Sequence, residues 1–97
     1  MAELLTEEEI TTHAAYLTGW FSESGAIVRT VEMPTFLKAI EAVDRVAVVA
    51  EELDHHPEID IRWRSLTFTC RTHSAGGVTD KDFALARRID TIIASFG

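Results

Sequence analysis

Between Ile59 and Cys70 the apolar residues change phase: Ile59, Ile61 and Trp63 stand at odd positions, Leu66, Phe68 and Cys70 at even ones. Side chains along a β-strand alternate faces with a period of two, so a single strand through this segment would send half of them to water. A two-residue turn at Arg64-Ser65 restores a common face. It sets Trp63 against Leu66, Ile61 against Phe68 and Ile59 against Cys70, with Glu58–Arg71, Asp60–Thr69 and Arg62–Thr67 paired on the other face. A hairpin with one apolar face needs a second layer to cover it.

Helical patterns supply that layer. Thr6 and Glu9 have capping-box spacing, which predicts a helix from Glu7 to Thr18 with Ile10, Ala14 and Leu17 on one stripe. Trp20 and Phe21 precede a turn at Ser22-Glu23-Ser24-Gly25, and Ile27 to Met33 alternates as a strand, giving an earlier hairpin. Pro34 stops that strand, and Phe36, Leu37, Ile40, Val43, Ala47 and Ala50 mark a second helix ending near Leu53 or Asp54. Thr79 and Asp82 form a second capping-box pair ahead of a stripe of Phe83, Ala86, Ile89, Ile92, Ile93 and Phe96. The order α-β-β-α-β-β-α predicts an α+β domain spanning 1–97, an antiparallel sheet with three helices packed on one face. At 97 residues the core is small, and oligomerisation is expected to steady it.

Charge narrows the function. A net charge of −7 opposes direct binding of nucleic acid, where a basic face supplies most of the affinity. Arg62, Arg64 and Arg71 read as a solvated face. Cys70 is the sole cysteine, so no internal disulfide forms, and in apolar alternation it reads as core, not as a nucleophile. The longest apolar run, Val46–Ala50, is far shorter than the ~20 residues of a membrane span, and no secretory signal pattern stands at the N-terminus. A cytoplasmic location is expected.

Three of the four histidines fall at two places, His55-His56 after the second helix and His73 after the last strand. Extending the hairpin register sets His73 opposite His56, so the apolar pattern alone gathers three imidazoles. Glu51 precedes His55 by four residues, within reach of its ring along a helix face, and Asp82 either caps the last helix or joins the cluster. Each histidine alone reads as a polar element end; three together point to acid–base chemistry. Zinc held by three imidazoles is the competing arrangement, disfavoured because neighbouring side chains at His55 and His56 diverge. Nucleophile-elbow, phosphate-loop and dinucleotide patterns are absent.

These residues resemble the pterin-4a-carbinolamine dehydratase family. Glu51, three residues, His55-His56-Pro57, five residues, Trp63, nine residues, His73, eight residues and Asp82 match its signature in type and spacing. Weaker likeness runs through Gly19-Trp20, Phe36, Ala47 and Ala50 upstream and Thr72, Gly76-Gly77, Thr79 and Leu85-Ala86 downstream. Val43, where an aromatic residue is common, and Cys70, where an aliphatic one is usual, depart from it.

The resemblance implies a four-stranded antiparallel sheet and a homodimer or homotetramer. It implies dehydration of 4a-hydroxytetrahydropterin to quinonoid dihydropterin, a step in tetrahydropterin recycling linked to aromatic amino-acid hydroxylases. No metal and no organic cofactor is implied. By resemblance His55 and His73 transfer protons in an unassigned division, His56 binds or positions the pterin, Glu51 and Asp82 orient the rings, and Pro57, Trp63 and Thr72 shape the site or bind substrate. Two alternatives belong to other classes: a non-catalytic binding module or protein-assembly factor on the same scaffold, and a metal-dependent hydrolase.

Overall fold

The computed structural model describes residues 3–96. Helix α1 (Glu7–Ala14) leads into β1 (Phe21–Glu23) and β2 (Ala26–Glu32), then α2 (Phe36–Leu53), β3 (Glu58–Arg62), β4 (Ser65–Cys70), a short 3-10 turn at His73–Ala75 and α3 (Asp80–Ala94). Both expected capping boxes form, Thr6 with Glu9 and Thr79 with Asp82. The two hairpins join into one antiparallel sheet of order β1-β2-β4-β3. Strand β4 is therefore central, and its Leu66, Phe68 and Cys70 are fully buried. They share one core with Ile27 and Val31 of β2, Ile10 of α1, Ala39, Ala42, Val46 and Val49 of α2, and Phe83, Leu85, Ala86 and Ile89 of α3.

The second hairpin turns at Trp63-Arg64, one residue earlier than expected. Ile59 pairs with Phe68, Ile61 with Leu66 and Arg62 with Ser65. A shift of pairing by two residues keeps every side chain on its own face, so alternation is blind to it. Arg64 decides the matter by clamping to the end of β2. Its carbonyl accepts from Met33 N at 2.8 Å, its Nη1 donates to Met33 O at 2.8 Å, and its Nη2 pairs with Glu32 at 2.8 Å. Trp63 thereby leaves the apolar face for the turn, 72% exposed, at φ +53° with Arg64 stacked 4.9 Å from its ring.

Other departures share a tertiary cause. The first hairpin turns on Ser24-Gly25 alone, both at positive φ, which matches strand twist better than a four-residue loop, so Ser22 and Glu23 are strand. Helix α1 stops at Ala14, before the expected Thr18, and the chain turns through Gly19 at φ +95° to bring Trp20 beneath α3. There its indole donates to Asp90 Oδ1 at 2.8 Å, and Arg29 reaches the same oxygen at 2.5 Å. A side chain at Gly19 would meet Arg29 Nε at 3.1 Å.

On α2 the buried line is Ala39, Ala42, Val46, Val49 and Ala50, while Phe36, Leu37 and Ala47 from the expected stripe are exposed. The helix is apolar around much of its circumference, and its small residues let the backbone approach the core closely.

Two outcomes follow from the packing. Replacing Trp63 by Asn, which tolerates the left-handed conformation, raises unfolding free energy by about 0.5–1 kcal/mol in a denaturant titration. Cys70 is the second case. Burial pushes its thiol far above the ordinary value of 9.0, with the carboxylates of Asp82 and then Asp90 adding to the shift. The folded thiol stays protonated while the unfolded one ionises, so this contribution is intact below about pH 9 and fades as pH rises beyond it. The stability advantage of wild type over Cys70→Ala accordingly narrows by about 1.4 kcal/mol per pH unit above that point.

Candidate active site

The segment His55-His56-Pro57 links α2 to β3. Asp54 ends the helix in the left-handed conformation at φ +50°, with its N–H and that of His55 returning to Glu51 O at 3.2 Å and Ala50 O at 3.0 Å. This turns His55 off the helical face, so Glu51 does not hold it across one turn as expected. Glu51 instead hydrogen-bonds Nε2 of His56, at the surface, where both side chains are exposed.

His55 points inward to α3, its Nε2 2.7 Å from Asp82 Oδ1, with the imidazole 10% and the carboxylate 0% exposed. The other oxygen, Oδ2, accepts from Thr79 N at 2.9 Å and from the Thr72 hydroxyl at 2.9 Å, and the hydroxyls of Thr72 and Thr79 lie 2.7 Å apart. Asp82 thus both caps α3 and holds a histidine. A carboxylate removed from water costs several kcal/mol unless its oxygens are matched by donors, and these three donors match them. Its place in the first turn of α3 adds a favourable helix dipole.

Thr72 is fixed from the other side, its N–H donating to Gly77 O at 2.8 Å across the loop that carries His73. His73 begins the 3-10 turn and is exposed.

His55, His56, His73 and Thr72 line one open depression of ≈ 340 Å³, shared with Asp54, Arg71, Ser74 and Lys81. That volume is near the lower end of the range of about 300–1,000 Å³ for small-molecule sites. The three histidines meet by a route other than the extended ladder, because the register is shifted and the strand ends before His73. Pro57 is half-buried and lines no part of the depression. Trp63 stands at the far end of β3, about 20 Å along the strand at 3.3 Å per residue, and lines no part of the depression within this chain.

Sequence reading missed Asp54, Arg71, Ser74 and Lys81. Arg71 reads from sequence as part of a solvated face; its position between buried Cys70 and buried Thr72, two residues from His73, is the signal that places it at the site. Among the described residues no three His, Cys, Asp or Glu side chains gather in a way that would hold a metal ion.

The depression with its three histidines, and a buried carboxylate behind one ring, is carried on a two-hairpin α+β fold. The family model described as pterin 4 alpha carbinolamine dehydratase matches residues 3–92, and the chain belongs to that family. It is 53% identical over 90 residues, 93% of this chain and 96% of the relative, to a protein of Mycobacteroides abscessus provisionally named a pterin-4-alpha-carbinolamine dehydratase. A relative of the same provisional name in Nocardia farcinica is 52% identical over 90 residues, 93% of this chain and 95% of that one.

Among solved structures, the transcriptional coactivator/pterin dehydratase from Brucella melitensis superposes with a TM-score of 0.89 at 35% identity, covering 92% of this chain and 97% of that one. A pterin dehydratase-like protein identified as a RuBisCO assembly factor in the alpha-carboxysome superposes at 0.63 with 17% identity, covering 76% and 86% of the two chains, a likeness of fold alone.

The buried network carries a stability prediction. Asp82→Ala removes half of the capping box of α3 and the carboxylate that Thr72 and His55 share, and is expected to cost about 3 kcal/mol by denaturant unfolding, against about 1–2 for Thr72→Val.

Proposed function

We propose that this chain is a hydro-lyase that dehydrates 4a-hydroxytetrahydropterins to quinonoid dihydropterins by histidine general acid/base catalysis. The observation that carries the reading is the convergence of His55, His56 and His73 on one depression, with His55 braced by the fully buried Asp82. In the reaction the C4a–O bond breaks as the hydroxyl takes a proton and leaves as water, and the N5 proton departs so that its electron pair forms the C4a=N5 bond. One acid and one base suffice, and no oxidant or reductant enters.

The Asp82 carboxylate engages Nε2 of His55, which leaves Nδ1 as the ring nitrogen not committed to that carboxylate. This supports His55 as the base that receives the N5 proton and His73, exposed on its 3-10 turn, as the acid toward the hydroxyl. His56, tied to Glu51, binds and orients the pterin. Trp63 serves this chain's depression only if a second copy presents it there.

The 1–97 unit acts as a single dehydratase-like domain, in the cytoplasm, returning pterin to an aromatic amino-acid hydroxylase. Exposed Phe36, Leu37 and Val48 on α2 and Phe21 on edge strand β1 support a homodimer or homotetramer.

The test is the dehydration rate of 4a-hydroxytetrahydropterin, generated by a hydroxylase in a coupled assay, for wild type, His55→Ala and His73→Ala, with thermal melts confirming that each is folded. Strong acceleration by wild type that falls about 10²–10⁴-fold in each variant is expected. A folded wild type that accelerates nothing overturns the reading and leaves a binding module on the same scaffold.

A further inference from the structure

The dehydration leaves two cations of the depression without a task. Arg71 lines it with a side chain 34% exposed, yet its Nε is shielded from solvent and donates no hydrogen bond among the described residues. The nearest carboxylate, Glu58 Oε2 at 3.5 Å, attracts the guanidinium without accepting that proton. Lys81, on the first turn of α3, lines the same wall, is exposed, and has no ion-pair partner among the described residues. Against them the wall offers one uncommitted carboxylate, Asp54, since Asp82 is taken by His55 and Glu51 by His56. With Glu58 beside Arg71, Lys81 is the cation of this wall that has no ion-pair partner among the described residues, in a chain where acidic residues outnumber Lys and Arg by 16 to 9.

The pterin ring of the carbinolamine is neutral and gives these cations nothing to neutralise. We propose that Arg71 and Lys81 select substrates whose side chain bears an anionic group, a phosphate monoester or a carboxylate, lodged at their end of the depression; this rests on the dehydratase reading above. A guanidinium presents a planar fork that matches such oxygens through its exposed end, and an ammonium adds a point charge. Arg71 and Lys81 are specificity residues, and they take no part in proton transfer.

Three 4a-hydroxytetrahydropterins that differ only in the side chain decide the matter: one neutral, one carboxylated and one phosphorylated. The measured quantity is kcat/KM for each anionic substrate divided by that for the neutral one, in wild type, Arg71→Gln, Lys81→Gln and Arg71→Lys. The expected wild-type ratio is about 10 at low salt, the two charges together contributing near tenfold. It falls toward 1 in the two Gln variants through a rise in KM for the anionic substrate, is largely kept in Arg71→Lys, and shrinks as salt screens the charges. The two anionic arms report which group is taken. Turnover of all three substrates at equal efficiency, or a preference that survives both Gln substitutions, overturns this inference and leaves the dehydratase reading intact. Turnover of none overturns that reading and this inference with it.

Discussion

The carboxylate of Asp82 has no access to solvent, and each of its oxygens is bound to a different part of the chain. One oxygen joins the start of α3 to Thr72 at the end of β4; the other takes the imidazole of His55 from the link after α2. Three elements that carry the candidate chemistry are thus referenced to a single group. A buried charge tolerates little displacement of its donors, because each lost hydrogen bond leaves a desolvated anion partly unpaired. The position of the His55 ring is held by the energetic cost of letting it go.

Asp90, two turns further along α3, plays a comparable part toward the β1–β2 edge of the sheet, accepting from both Trp20 and Arg29 at one oxygen. Helix α3 is pinned to the sheet by apolar packing of Phe83, Leu85, Ala86 and Ile89 and by carboxylates along its length. The depression opens where the α2–β3 link, the 72–77 loop and the first turn of α3 meet, so its walls come from segments whose ends are all fixed. The cations Arg71 and Lys81 occupy the same walls without belonging to the buried network. That arrangement separates the groups that hold His55 from the cations that line the depression.

The legibility of the chain followed the range of the interactions involved. Capping boxes at Thr6–Glu9 and Thr79–Asp82 are local, and both formed as read. The phase change between Trp63 and Leu66 gave the second hairpin and the inward face of β4. It did not give the register, because a shift by two residues preserves every face. The helix α2 stripe was misjudged for a related reason: apolar residues around much of a helix leave several faces open, and only the sheet and α3 choose among them. Glu51 was matched to His55 on the assumption that helical spacing continued, and the left-handed Asp54 broke that spacing.

From its sequence alone the chain declares its elements and their order, the apolar face of each hairpin, its family and the residue types of the candidate site, since all of these rest on period, capping and spacing within short windows. The tertiary structure decided which carboxylate meets which histidine, that Trp63 stands in a turn far from the depression, and that Arg71 and Lys81 stand beside it. Those outcomes depend on contacts between residues far apart in the chain, such as His55 with Asp82 and Arg64 with Met33. Only the folded packing, in which burial makes an unmatched polar group costly, selects among pairings that the sequence permits equally.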